Sequence, residues 1–472
     1  MTFVPNSIRV AHLSDTHLGY EAYKPLNVSG ENQRAADFAR AFVNVCREII
    51  SADPDVVIHS GDVADRTHIP IRVMLLIRAW FSQLAAIRPD GTRRQLVVVA
   101  GNHELPRNKK EACFLELFRG LPGVHIVTQG YEQVRFDGQG ASEGCSPILN
   151  NLVVHAIPHD ALKTVDFELV TPVEDCINIF SSHGVAGGSE LYVRSLGREF
   201  AIPTDVLARG WDYGALGHWH KQGPIPIVST GARTDGIVRV DADGRERNGR
   251  IWYSGSTENS GFGDLLDNGE ERGWLDVVVR KGKLPAVKRC NVPIRVMVRL
   301  PKADLTGLNP DEITNLLIEN IRSAHTTSSV VGQIVENVSR ETWSLVDLQA
   351  VRAAASGALH YDVTVKHSRN TEQCGDEHRG LSEVDAVLVE RANALLLDSE
   401  REPALELARS LLARELARVD ADPTAESAEA ATNHPARLVR KVSLNRKASA
   451  KDIGLVTTPA IESEDDIVGG SK

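Results

Sequence analysis

Seven side chains in the first half of the chain are metal-ligand types, and they come in a fixed order. Asp15 and His17 stand in Asp15-Thr16-His17, Asp62 in Gly61-Asp62, and Asn102 with His103 in Gly101-Asn102-His103-Glu104. His183 follows in His183-Gly184, and His218 and His220 in Gly217-His218-Trp219-His220. Two Asp, one Asn and four His supply oxygen and imidazole donors for two divalent ions, with one carboxylate able to bridge them about 3.5–4 Å apart. Hard oxygen plus borderline nitrogen without thiolate favours Mn²⁺, Fe²⁺ or Zn²⁺ over Mg²⁺ alone. A pair of ions suits phosphoester hydrolysis: one lowers the pKa of a bound water, and the two together neutralise charge on the phosphate in the transition state.

Residues so far apart in sequence must be brought together by the elements that carry them. Five short, β-branched runs read as strands: Ile8–Leu13, Asp55–Ser60, Gln95–Ala100, Ile177–Ser182 and Tyr213–Gly217. Each is followed at once by one of the motifs. Helical spacing at Ala35–Ile50 and Arg72–Leu84 separates the early strands and predicts α/β construction. In such a sheet, sites form outside the carboxyl ends of the strands, where distant ligands converge. His12, His59 and His125 occupy similar settings and read as core or surface histidines rather than ligands.

The 472 residues suggest two to four domains, and 42% hydrophobic with 25% charged residues excludes disorder, collagen and coiled coil as descriptions of the whole chain. No apolar run approaches the ~18 residues of a membrane span, and Met1 to Arg9 lacks the features of a signal peptide, so the expected location is the cytoplasm. The six cysteines form no C-x-x-C pair and read as free thiols. A net charge of -10 argues against a nucleic-acid partner only if charge is evenly spread, which it is not.

The ordered series D-x-H, G-D, G-N-H-E, a lone His and G-H-x-H resembles the calcineurin-like metallophosphoesterase superfamily. More narrowly, Ser14–Gly19 (SDTHLG), Gly214–Lys221 (GALGHWHK) and Tyr253–Asp264 (YSGSTENSGFGD) resemble the SbcD-type DNA repair exonucleases. The resemblance implies a β-sandwich flanked by helices, with a small α/β capping domain and a C-terminal helical arm. It implies one metal at Asp15, His17 and His220, a second at Asn102, His183 and His218, and Asp62 bridging them. His103 is then the non-ligand histidine that contacts the scissile phosphate and assists the leaving oxygen as a general acid. Where some relatives carry a histidine three residues after the bridging Asp, this chain has Asp65, with His68 nearby.

Four regions are expected: a nuclease domain over 1–285, a DNA-capping accessory domain over 290–368, a helical arm over 380–420 and a disordered charged tail over 421–472. The accessory region reads as strand, helix, strand, helix: Ile294–Leu300, Asp311–Ser323, Val330–Val338 and a helical stretch within Ser339–Val363. In the arm, Leu381, Val384, Val387, Leu388, Leu395 and Leu396 form one apolar stripe, and Leu405, Ala408, Leu412 and Val419 another. The tail holds a basic block at Arg437–Lys451 and an acidic one at Asp452–Asp466. The expected function is a two-metal, Mn²⁺-dependent DNA exonuclease/endonuclease at DNA ends, the nuclease subunit of an SbcCD-like complex. Its expected partners are DNA and an SbcC-type coiled-coil ATPase, and it is expected to form a homodimer within a heterotetramer near the nucleoid. The rival readings are a small-molecule or cyclic-nucleotide phosphodiesterase with the same metal centre, and a scaffold that tethers DNA ends.

Overall fold

Alternating burial along β-branched runs builds two sheets where the strand pattern alone suggests one. The computed structural model describes residues 7–106, 108, 111–187, 189, 200–225, 240–263, 271–367 and 405. In chain order its first strands are β1 (Ile8–Leu13), β2 (Val56–His59), β3 (Gln95–Val99), β4 (Val124–Val127), β5 (Glu132–Arg135), β6 (Leu152–Ile157) and β7 (Ile177–His183). The short β8 (Val185–Ala186) and β9 (Ala201–Ile202) follow, then β10 (Tyr213–Gly217), β11 (Gly223–Pro224), β12 (Ile251–Tyr253), β13 (Gly273–Val279) and β14 (Ala286–Asn291). One six-stranded sheet has the order β14-β13-β1-β2-β3-β4, the other β11-β12-β10-β7-β6-β5. Strands β1 to β4 are parallel, as are β6, β7, β10 and β12, so the ends that carry the motifs point the same way within each sheet. The five motif-bearing strands divide three and two between the sheets.

Period-two alternation decides which side chains face which layer. Val10, Val56, Ile58, Val97 and Val99 of the first sheet meet Val154, Ala156, Ile179, Tyr213 and Trp252 of the second in one shared core. Their sequence neighbours Ala11, Val57, Leu96 and Val98 face outward, under helices α1 (Gln33–Ala52) and α2 (Ile71–Leu84). Phe42, Val45 and Ile49 of α1 and Ile77, Phe81 and Leu84 of α2 recur at helical spacing and fill that layer. Truncating a ring such as Phe42 or Phe81, each fully buried, costs about 3–5 kcal/mol. Helix α1 starts because the Asn32 side chain accepts from the Arg34 and Ala35 N–H groups, and it stops at Asp53, whose φ of 49° is left-handed.

Residues 1–368 cluster as one compact unit and 369–472 as another. Within the first, a third sheet has its own core around Ile313, Leu317, Ile321, Val331, Val335 and Val351. Its strands are β15 (Met297–Arg299), β16 (Ala303–Asp304), β17 (Val330–Val338) and β18 (His360–His367), all parallel to β17. The helix Pro310–Ser323 carries a capping box between Asn309 and Glu312. The order strand, helix, strand, helix is incomplete: Arg340–Ser344 and Leu348–Ala354 are two short helices, and the chain then enters β18. Tyr361, Val363 and Val365 alternate with Asp362, Thr364 and Lys366 there, a two-residue period in which the first set packs on the core.

This module is fastened to the sandwich by buried charge. Arg34 bonds Asp37 at 2.9 Å and Glu258 at 3.3 Å, while Arg295, at the start of the module, bonds Asp37 through two nitrogens at 2.8 and 2.5 Å. The Arg295 N–H donates to Glu258 at 2.9 Å. Burial raises the Glu258 carboxyl, whereas at Asp37 the bonds from Arg295 and Arg34 outweigh burial and hold it low. Phe262 lies against Gly332 of β17, where a Cβ would stand 2.6 Å from the ring, and Tyr23 stacks on His360 at 4.0 Å. The G-S-x-E stretch of the sequence therefore includes a glutamate that joins the two parts. No helix among the described residues is long and apolar enough to cross a membrane. The expected arm over 380–420 and tail over 421–472 lie outside the described residues, apart from Leu405.

Candidate metal centre

The turns that follow β1, β2, β3 and β10 bring their motifs to the seam between the sheets, and β7 ends there in His183. Asp15, His17 and His220 face one another: His17 Nε2 lies 3.1 Å from His220 Nε2 and 4.0 Å from Asp15 Oδ1, and His220 Nε2 lies 3.8 Å from Asp15 Oδ1. Beside them, His183 Nε2 is 3.0 Å and His218 Nδ1 3.2 Å from Asn102 Oδ1. Asp62 Oδ2 lies between the two groups, 3.7 Å from His17 Nε2 and 3.2 Å from His183 Nε2. Ligands about 2.0–2.2 Å from one ion stand roughly 3–4 Å from one another, so these separations have the scale of a coordination sphere. All seven candidate ligands are thus brought together. His103 is at the rim, its Nε2 3.9 Å from Asp62 Oδ2, and its Nδ1 donates to the Asp65 carbonyl at 2.5 Å. His68 is not part of the group; it is paired with Thr67 on the exposed loop.

The chain is forced into unusual conformations to achieve this. Asp15, His17, Asp62 and His218 all have left-handed φ values, of 52°, 41°, 54° and 96°. Such strain persists only where the surroundings over-determine it. Here Asp15 N–H donates to the Gly61 carbonyl at 2.9 Å, His17 N–H to the Asp62 carbonyl at 3.0 Å, and His218 N–H to the Asp15 carboxylate at 3.1 Å. The glycines of G-D and G-N-H are required by contact: a Cβ on Gly61 would stand 2.3 Å from His183 Nδ1, and one on Gly101 2.1 Å from Asp62 Oδ1.

Several residues around the centre have no role in the sequence reading. Glu104, fully buried, accepts from Gly101 N–H at 2.7 Å, Asp62 N–H at 3.2 Å and Ala64 N–H at 2.9 Å. It ties the loop after β2 to the loop after β3. The signal was present, since Glu104 completes Gly-Asn-His-Glu. Ser14 donates to Asp15 and lies 2.7 Å from Ser254 Oγ, linking the first motif to the end of β12. His159, buried, bonds the His183 carbonyl at 3.0 Å and packs near His218; it lies in no recognisable motif. His12 and His59 are core residues, the first bonded to Tyr213 Oη at 2.7 Å and the second to Thr16 at 3.1 Å, and His125 is half-buried beside Gln95.

The electrostatics suit cations. Burial pushes the His17 imidazole down to about 3 and the His218 imidazole well below its usual value, which keeps both neutral, the form that binds metal. Burial raises the Asp15 carboxyl; at Asp62 it is outweighed by His183, His17 and His103, which hold that group low. His183 shows the balance: despite burial, Asp62 and Asp15 lift it to about 9. Two carboxylates this deeply buried draw compensating positive charge into the seam, and divalent ions fit that demand with the donors present. His183 Nδ1 donates to the Ser60 carbonyl at 2.8 Å, which leaves Nε2 facing inward.

Comparison with known proteins agrees with this geometry. The profile of the calcineurin-like phosphoesterase family matches residues 8–222. The chain is 28% identical over 127 residues to the DNA double-strand break repair protein Mre11 of Methanocaldococcus jannaschii, covering 26% of this chain and 32% of that one. It is 25% identical over 311 residues to the SbcD component of the nuclease SbcCD of Bacillus subtilis, covering 60% and 72%, and 21% identical over 259 residues to the Mre11 protein of Saccharolobus solfataricus, covering 52% and 59%. The chain spans about a third of the length of the Methanocaldococcus relative. The seam between the two sheets thus lies inside the matched region, and residues 8–222 of this chain are a calcineurin-like phosphoesterase domain.

Proposed function

We propose that the chain is a two-metal DNA exonuclease/endonuclease that cuts phosphodiester bonds at DNA ends in double-strand break repair. The observation that carries this reading is the convergence of seven oxygen and nitrogen donors at 3.0–4.0 Å separations from five strand ends. Asp15, His17 and His220 hold one ion, Asn102, His183 and His218 the other, and Asp62 serves both; Mn²⁺ suits this mixed donor set. The bound ions supply an activated water and neutralise the charge of the phosphate. The rest is done by the protein. His103, with Nδ1 committed to the Asp65 carbonyl, presents Nε2 to the substrate and delivers a proton to the departing 3′-oxygen. A cavity of about 560 Å³ opens beside it, lined by Asp65, Arg66, Thr67, Asn102 and Asn108, and gives the leaving strand a place to lie. The module of β15 to β18, fixed by Arg295, grips the duplex.

The names of the relatives support both the DNA substrate and an ATPase partner of the SbcC type, which the arm over 380–420 seizes. A homodimer within a heterotetramer is supported by exposed apolar side chains on one face, Ile71 and Leu75 of α2 with Leu26 and Val28 of the preceding loop. An Arg72–Glu31 ion pair at 2.9 Å joins these two segments. On this reading the protein works at the nucleoid in the cytoplasm.

The test compares end-labelled duplex DNA, a cyclic nucleotide and a chromogenic phosphodiester with Mn²⁺ and the full-length chain. DNA cleavage that disappears in Asp62→Ala, together with loss of bound metal, is expected. Hydrolysis of the cyclic nucleotide with none of DNA would replace this reading by a small-molecule esterase, and DNA binding without any hydrolysis by a tethering scaffold.

A further inference from the structure

An imidazole that binds an ion through Nε2 carries a proton on Nδ1, and that N–H needs an acceptor when it is buried. Two of the histidines at the seam have one: His183 Nδ1 donates to the Ser60 carbonyl and His103 Nδ1 to the Asp65 carbonyl. His17 is different. Its Nε2 faces His220, Asp62 and Asp15, so Nδ1 points away from the centre, and this buried nitrogen has no hydrogen-bond partner. Facing it is Asp65 Oδ1, at 3.8 Å.

The carboxylate is held for this approach. Its second oxygen, Oδ2, is 3.2 Å from Arg66 Nη2, which anchors it from the solvent side. Its backbone is laced to the segment that carries His17: Leu18 N–H donates to the Val63 carbonyl at 2.9 Å, and Asp65 N–H to the Leu18 carbonyl at 3.1 Å. Oδ1 is also 3.9 Å from His103 Nδ1, but that nitrogen is already satisfied by the Asp65 carbonyl. A turn of the carboxylate by roughly 1 Å brings Oδ1 within hydrogen-bond distance of His17.

We propose that Asp65 is the positioning residue for the ion held by Asp15, His17 and His220, its carboxylate accepting the His17 Nδ1 proton and so fixing the tautomer that presents the Nε2 lone pair. The inference rests on the two-metal reading above. It gives the side chain at position 65 a task separate from that of its own carbonyl, which holds His103 and survives any substitution here.

Calorimetric titration of the metal-free, full-length protein with Mn²⁺ tests it, using wild type, Asp65→Ala and Asp65→Asn. Two ions should bind the wild type. In Asp65→Ala one of them should bind 10–100-fold more weakly, the usual loss when such an outer partner is removed, and the other as before. Asp65→Asn, which keeps an acceptor oxygen, should lose less, and it provides the reading if the alanine variant does not fold. Wild-type affinity for both ions in Asp65→Ala would overturn the inference, as would equal weakening of both. A wild type that binds no Mn²⁺ would overturn the two-metal reading itself.

Discussion

Replacing Glu104 tests whether a residue that touches neither substrate nor ion holds the site together. Its two oxygens take three N–H donors from two loops, at 2.7, 2.9 and 3.2 Å, and all three donors are buried. Burial and the Asp62 charge push the carboxyl up to about 8, yet donors on both oxygens require the carboxylate form. Glu104→Ala orphans three N–H groups at about 1–3 kcal/mol each, and a water entering the vacated space recovers part, leaving about 3–5 kcal/mol. Glu104→Gln is the sharper variant. One amide oxygen can serve Gly101 and Asp62, but the NH₂ then faces the Ala64 N–H, donor against donor, for a loss of about 1–3 kcal/mol. Because Asp62 N–H is among the three, its left-handed backbone loosens too, and Mn²⁺ affinity falls with stability. Urea unfolding at pH 7 and calorimetric Mn²⁺ titration measure both effects. A Glu104→Gln protein within about 0.5 kcal/mol of wild type, binding Mn²⁺ equally well, would refute the reasoning.

His103→Asn should keep both ions while kcat falls by about 10²–10⁴-fold, the range for a lost proton donor; loss of metal would make His103 a ligand instead. Asp37→Asn breaks a buried cluster and should cost about 3–5 kcal/mol at pH 7. Since the folded Asp37 pKa is held low, its stabilisation is present above the unfolded value of about 3.9 and disappears as pH falls through the folded one, so the gap between variant and wild type in urea midpoints should close in acid. Truncation after Thr371 removes no candidate ligand, so cutting of chromogenic diesters should survive while pull-down of an SbcC-type ATPase is lost; retained pull-down would place the partner site elsewhere.

By itself the sequence determined the chemistry and its local carriers. Asp15, His17, Asp62, Asn102, His183, His218 and His220 are legible because each directly ends or follows a short β-branched run, and a strand with its turn is a local object. The same is true of α1 and α2, whose apolar residues repeat within one helix. What only the tertiary structure decided is pairing over distance. Period two says that Val10 and Ala11 face opposite ways but not which sheet each strand joins, so the division of the motifs between two sheets is invisible in the pattern. The three N–H groups gathered by Glu104, and the approach of Asp65 to His17, depend on loops more than 35 residues apart in sequence meeting at one seam. Strand β18 escaped for a related reason: its alternation follows directly on helical residues, and only pairing with β17 separates the two. Glu258 and Arg295 read as ordinary charged residues until folding buries them beside Arg34 and Asp37, because burial, which sets what a charge costs and which partner it must have, belongs to the folded molecule and not to the string.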